Sequence, residues 1–251
     1  SISSGRSFRM WPPAPRNRGT TATERQPAAA SSAAALAMSG AMNSRNASRT
    51  AAEAVVAGLL MVLTACSSQP PAQPENLCQI FREKPEWHKA ALKMNEKWGT
   101  PVHVVMAMMY QESSFKHNAQ PPMEYWFGFI PVGRASTAYG YAQVKDETWE
   151  DYGRETGSYF AARSSFEDAL DFMGWYINKS SRINKVAKSD AYAQYLNYHE
   201  GWGGYKRGSY YKKRWLMETS RKVQQRATMY QNQLQSCEDE FKSGWFFGLF
   251  G

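Results

Sequence analysis

The sequence predicts a mainly α protein with one folded domain over residues 77–251, and three observations carry that expectation. Apolar residues recur in helical patterns along most of this region, helix start and stop residues bracket those patterns, and no run sustains the period-two alternation of a half-buried strand. The first pattern, Glu86 to Trp98, places Trp87, Ala90, Ala91, Met94 and Trp98 at helical spacing and stops at Gly99.

The second pattern organises the rest. Thr100 is read as a cap and Pro101 as the first helical residue, where no N–H is needed. Val102, Val104, Val105, Met106, Ala107, Met108 and Met109 then make the helix apolar on nearly every side, which predicts burial all round. At its end stands one carboxylate, Glu112, followed by Ser113, Ser114 and Phe115. A carboxyl held against apolar surroundings is poorly solvated as an anion, so its pKa rises and it can donate a proton near neutral pH. Glu112 is therefore a candidate general acid; the alternative is a Glu that simply surfaces as the helix does.

Residues 116–135 hold three Pro and two Gly among aromatics and read as a long loop able to overhang a cleft, with Tyr125, Trp126, Phe127, Phe129 and Ile130 in need of cover or a ligand. Asp146 is read as capping a short helix that ends near Gly153. Ser165 and Asp168 form a capping box ahead of Phe166, Ala169, Leu170, Met173, Tyr176 and Ile177. Ser189 caps a helix bearing Tyr192, Tyr195 and Leu196 on one face, which the glycines from Gly201 to Gly204 end. A final helix, roughly 212–236, aligns Val223, Ala227, Tyr230, Leu234 and Cys237 on one stripe.

Ahead of the domain the composition changes. Residues 1–41 are rich in Ala, Ser, Pro and Arg, could not bury a core, and read as a disordered, non-native upstream segment, with Met42 or Met38 the expected start. From Met42 two arginines precede a dozen apolar residues, Ala54 to Ala65, a pattern of export signals and too short to span a bilayer. Leu63-Thr64-Ala65-Cys66 resembles the bacterial lipobox. That resemblance implies lipidation of Cys66, loss of residues 42–65, and attachment to the membrane through an N-terminal lipid, on the periplasmic face of the outer membrane. An ordinary signal with a chance Cys is the alternative. Residues 66–76 then serve as the lipidated Cys and a Pro-rich tether. Cys78 and Cys237 remain, one near each end of the domain, and an exported compartment permits a bridge between them; two free thiols are the alternative.

The formal net charge of +8 does not indicate a nucleic-acid partner. Residues 1–66 hold seven Lys/Arg against two Asp/Glu, and the other 185 residues hold 23 against 20. The basic run from Lys206 to Arg226 reads as a solvated helix face.

Three separated pieces complete the reading: E-S-S-F at 112–115, G-Y-A-Q-V at 140–144, and N-Y-H-E-G at 197–201. In this order they resemble the lysozyme-like soluble lytic transglycosylase (SLT) domain, related to goose-type lysozyme, over about residues 86–205. The resemblance implies a lysozyme-like catalytic domain acting on peptidoglycan glycan strands, with Glu112 as the acid and Gln143 lining the sugar cleft. It further implies that Tyr198 hydrogen-bonds near the acid and that Ser113 and Ser114 shape the catalytic turn. By residue type, Tyr139 joins the substrate-binding candidates as a sugar-stacking ring, as do Tyr125, Trp126, Trp202 and Tyr205. His199 and Glu200 replace the usual N-A pair, which brings an imidazole and a carboxylate near the site.

The reaction implied is cleavage between MurNAc and GlcNAc, leaving 1,6-anhydromuramic acid ends, by a monomer with no cofactor. Two alternatives stay open: a hydrolase using Glu200, or more remotely Glu124, as base, and a non-catalytic peptidoglycan-binding lipoprotein. The four histidines are scattered, and His199-Glu200 lacks the second His of H-E-x-x-H, so no metal is expected.

Overall fold

Helix α3, Val102–Ser113, is the element that the other helices cover. Its residues Val104 to Met109 have no exposed surface at all, which is the outcome its all-round apolar sequence requires. The structure, a computed structural model, describes residues 69–127 and 129–247, with side chains to residue 241. The leader, the signal run and Cys66 lie outside these residues, as do the side chains of the aromatic C-terminal tail.

In chain order the elements are α1 (Leu77–Glu83), α2 (Pro85–Trp98), α3, strands β1 (Met123–Trp126) and β2 (Ile130–Arg134), α4 (Asp146–Thr156), α5 (Phe166–Asn184) and α6 (Ala191–Lys206). A 3-10 turn, Ser209–Lys212, leads into α7, Arg214–Phe247. Helices α7, α2, α5 and α6 surround α3, and α7 lies along it most extensively. Leu216, Val223, Ala227 and Tyr230 supply the buried face of α7, on the stripe the sequence indicates. The mainly α expectation holds. All described residues belong to one compact unit that begins at Ser67 and contains its own core.

Several boundaries differ from the sequence reading, for local reasons. Thr100 does not cap α3: it is buried, with its hydroxyl directed to the Gly174 carbonyl at 3.3 Å, and Pro101 takes the cap position. Helix α4 starts after Lys145 rather than at a capping Asp146. It runs through Gly153 to a left-handed Gly157, because Gly153 has ordinary helical room. Asp190, not Ser189, caps α6, accepting from the Ala193 N–H at 2.9 Å. Ser165 does accept from the Asp168 N–H, but the Asp168 carboxylate reaches back to the Ala162 N–H instead of closing the box. Residues 116–135 contain an antiparallel hairpin, β1 with β2, where the sequence suggests only loop; its strands are too short for period-two alternation to register.

The two ends of the domain are fastened together. Cys78 and Cys237 form a disulfide that spans 159 residues. The Pro-rich segment read as a tether is docked from Pro71 onward. Tyr230 donates to the Pro74 carbonyl, Gln233 takes the Leu77 N–H at 2.8 Å, and Glu75 pairs with Arg226. The Arg226 guanidinium also lies 3.5 Å above the Tyr110 ring. Arg226 is therefore a packed strut and not part of a solvated basic face.

A bridge closing so long a loop removes much of the unfolded chain's freedom. The Cys78→Ala/Cys237→Ala double variant is expected to lose about 2–5 kcal/mol of stability, read as a lowered denaturant midpoint with a steeper slope, since the unfolded chain is no longer cross-linked.

Candidate active site

The carboxyl of Glu112 sits where α3 stops. The stop is abrupt because Ser114 and Phe115 both adopt left-handed backbone, φ 50° and 61°, and the Ser114 N–H caps back to the Tyr110 carbonyl at 2.8 Å. Two successive non-glycine residues in that region are strained and persist only when surrounding packing fixes them. Phe115 supplies that packing: it is wholly buried against Trp87 and Tyr110. Ser113 is buried too, with its hydroxyl returned to the Met109 carbonyl. Both serines thus serve the turn that aims Glu112.

Glu112 is half-buried. Burial pushes its pKa up to about 7, partly offset by a hydrogen bond from the Tyr195 hydroxyl. Tyr195 and Tyr198 stand one turn apart on α6, and both phenols are held neutral, first by burial and next by the nearby Glu112 charge. Their hydroxyls divide the work. Tyr195 meets Glu112, whereas Tyr198, the motif tyrosine, donates to the Ala142 carbonyl at 2.5 Å. Tyr195 was legible only as one member of an apolar helix face. The signal that marks it is its i,i+3 spacing to Tyr198, which puts both phenols on the side of the acid.

The second motif forms a tight loop against this helix. Gly140 has φ 76°, and a Cβ there would stand 2.0 Å from the Arg163 carbonyl oxygen, so the close backbone approach admits no side chain. The Gly140 N–H donates to the Ala119 carbonyl at 2.8 Å. Gln143, itself left-handed at φ 49°, sends its side-chain amide to the carbonyls of Ala119 and Gly140 at 2.7 and 2.9 Å. Its amide is thus spent on holding the loop and the arm that leads to the hairpin. Arg163, which no sequence signal marks, staples the same loop by donating to Thr137 and Val144 and pairing with Asp146. Its guanidinium faces the half-buried Tyr139 ring at 5.5 Å.

The structure therefore brings Glu112, Tyr195, Tyr198 and the 140–144 loop together. It turns the remaining pair elsewhere. Glu200 is 3% exposed and receives Lys213 at 2.6 Å, the Ser209 hydroxyl and His199 Nδ1 at 3.0 Å. Burial pushes its carboxyl up, but these hydrogen bonds outweigh burial and hold it below its ordinary value. The His199 ring packs edge-on against Trp215 at 5.0 Å. A carboxylate so enclosed and so fully engaged is poorly placed to bind and activate water. The break at Gly201, φ 70° and ψ 162°, lets α6 bend so that Trp202 stacks on Tyr176 at 4.8 Å, donating to Ser180.

A cavity of about 510 Å³ opens elsewhere, between α2 and α5, and Glu112 is not in its wall. Four of its charged residues pair with one another, Lys93 with Glu167 and Lys97 with Asp171, and none of the three motifs lines it.

A helical, lysozyme-like domain built around one desolvated acid is the class that fold and site define. Residues 54–237, most of the chain, match the family described as transglycosylase SLT domain. The chain belongs to that family, whose function is of lytic-transglycosylase type and directed at peptidoglycan. No curated protein and no solved structure matches the chain.

The raised pKa has a stability consequence. A carboxyl whose folded pKa exceeds its unfolded value keeps its full contribution below the unfolded pKa and loses it as pH rises through the folded one. Wild type therefore sacrifices up to about 3 kcal/mol between roughly pH 4.5 and 7, less whatever cleft water screens. Glu112→Gln, neutral throughout, is expected to melt higher than wild type at pH 8 and at the same temperature at pH 4. In Tyr195→Phe the hydrogen bond that favours the anion is gone, so the Glu112 pKa rises above about 7, an upward shift read by NMR titration of its side-chain carboxyl.

Proposed function

We propose that this protein is a murein lytic transglycosylase in which Glu112 acts as both acid and base on the MurNAc–GlcNAc bond. The observation that supports it most is a carboxyl whose pKa burial pushes up to about 7, at the end of a buried helix. In its protonated form Glu112 donates to the glycosidic oxygen as that bond breaks with oxocarbenium character at the MurNAc carbon. The neighbouring N-acetyl group of the same sugar shares the developing charge. Glu112, now anionic, removes the proton from that sugar's C6 hydroxyl, whose oxygen closes on C1. The product is a 1,6-anhydro end, the acid regains its proton, and no water enters. Because attack is intramolecular, it outcompetes water through effective molarity.

The other groups support this cycle. Tyr195 steadies the anion between the two proton transfers, and the double left-handed turn fixes the carboxyl's direction. Glu200, saturated by Lys213, Ser209 and His199, favours the water-free route over hydrolysis. A buried acid also speaks for an enzyme over a passive binder, which gains nothing from a costly desolvated carboxyl.

On the exported form, Cys66 carries lipid and holds the domain at the periplasmic face of the outer membrane. The supporting feature is the lipobox-like run that ends there.

The test uses the unit Ser67–Gly251 on purified sacculi. Mass spectrometry of the released muropeptides is expected to find anhydro ends, reduced at least a thousandfold in Glu112→Gln. Products heavier by one water would replace this reading with hydrolysis, and no product at all would leave a binder.

A further inference from the structure

One surface plays no part in the chemistry above. Strands β1 and β2 form a hairpin exposed on both faces along its whole described length. Trp126, Phe127 and Phe129 are 61%, 72% and 73% exposed, beside the open side chains of Tyr125, Ile130 and Val132. The rings of Trp126 and Phe127 stack on one another at 4.6 Å. So much contiguous apolar surface marks an interaction site.

The chemistry of the tip decides the partner. A glycan strand presents hydroxyl and N-acetyl groups, which are held by polar and charged side chains set beside a stacking ring. Between Tyr125 and Val132 the described residues offer only the Tyr125 hydroxyl, and the charges of Glu124 and Arg134 stand at the base of the strands. A lipid headgroup layer requires the opposite arrangement, an aromatic and aliphatic tip with charge set further back. The hairpin's own charges, exposed Glu124 and Arg134, sit at the base of its strands, and exposed Lys116 lies on the arm before them, a basic balance that suits anionic headgroups. No helix among the described residues is long and apolar enough to cross a membrane, so any such contact is peripheral.

Chain connectivity points to the same partner. Glu75, in the docked N-terminal segment, accepts from the Tyr110 hydroxyl at 2.9 Å, and the Tyr110 ring meets Phe115. Phe115 begins the arm that leads to β1. The segment coming from Cys66 and the arm of the hairpin therefore meet at one end of α3, the end that bears Glu112. Pro71 is the fifth residue after Cys66, a chain reach of at most about 18 Å.

We propose that the hairpin of Met123–Trp126 and Ile130–Arg134 is a membrane-interface contact that seats its aromatic tip among lipid headgroups. The contact itself does not depend on lipidation or on catalysis. Where Cys66 is lipidated, as read above, the hairpin is a second attachment that fixes the orientation of the domain and its cleft to the bilayer.

The experiment floats the acyl-free unit Ser67–Gly251 with vesicles of phosphatidylethanolamine and phosphatidylglycerol, beside the variant Trp126→Ser/Phe127→Ser/Phe129→Ser. These side chains are exposed, so the variant is expected to melt as wild type does while its vesicle partitioning falls at least tenfold. Wild type remaining in the soluble fraction, or both proteins floating equally, would overturn the proposal. So would unchanged flotation with lost turnover of sacculi, which would assign the hairpin to glycan. Wild-type flotation that depends on the hairpin, in a protein releasing no muropeptides, would uphold the membrane contact while removing the enzymatic reading.

Discussion

Desolvation of one carboxyl is the constraint on which the rest of this structure depends. Helix α3 has no polar face to give to water, so it must be enclosed by α2, α5, α6 and α7. Enclosing it places the residues at its end inside the protein. Glu112 is then raised to about pKa 7 by burial and can exist in either protonation state near neutrality. The same packing that stabilises the core thus creates the electrostatic discomfort at its edge, a trade expected where activity is carried by a strained or desolvated group. The consecutive left-handed residues after Glu112 belong to the same trade, since only the buried ring of Phe115 keeps them in place.

Much of this was legible in the sequence because burial and periodicity are local signals. The all-round apolar run of α3, the inward stripe of α7 and the pairing partners Cys78 and Cys237 could be read from residue types and spacing, and the three motifs around the acid from the family resemblance. What escaped reading depended on choices between nearly equivalent neighbours. Ser189 and Asp190 are both competent caps, and only the approach of the chain selects Asp190. Thr100 looked like a cap, yet a buried hydroxyl facing the Gly174 carbonyl was the better-satisfied arrangement.

The site shows the same division. The family resemblance brought out Tyr198, but the hydroxyl that reaches Glu112 belongs to Tyr195. Spacing alone shows that two phenols share a face; which one reaches the acid is set by the tilt of α6 against α3, a tertiary fact. The replacement of a neutral pair by His199-Glu200 looked chemically important, since it adds ionisable groups beside the acid. Its physical role is visible only once Lys213 and Ser209 arrive from the following turn to occupy the carboxylate. A tether and a docked strap likewise have the same Pro-rich composition; Tyr230, Gln233 and Arg226, more than 150 residues away, make the difference.

The docked strap also has a mechanical meaning. A pull on the chain ahead of Pro71 is met by the Ala72 N–H on Glu83, by Pro74 on Tyr230 and by the Glu75–Arg226 pair, and then by the covalent link at Cys78. The contacts at Pro74, Glu75 and Cys78 pass the load to α7, and the core beyond Cys78 is loaded only when they give way. Tyr110 is the exception, because it touches both Glu75 and the ring beneath the end of α3. Tension applied at the N-terminus therefore has a short physical route to the turn that aims Glu112, while tension at the C-terminus is absorbed by the disulfide before it arrives there.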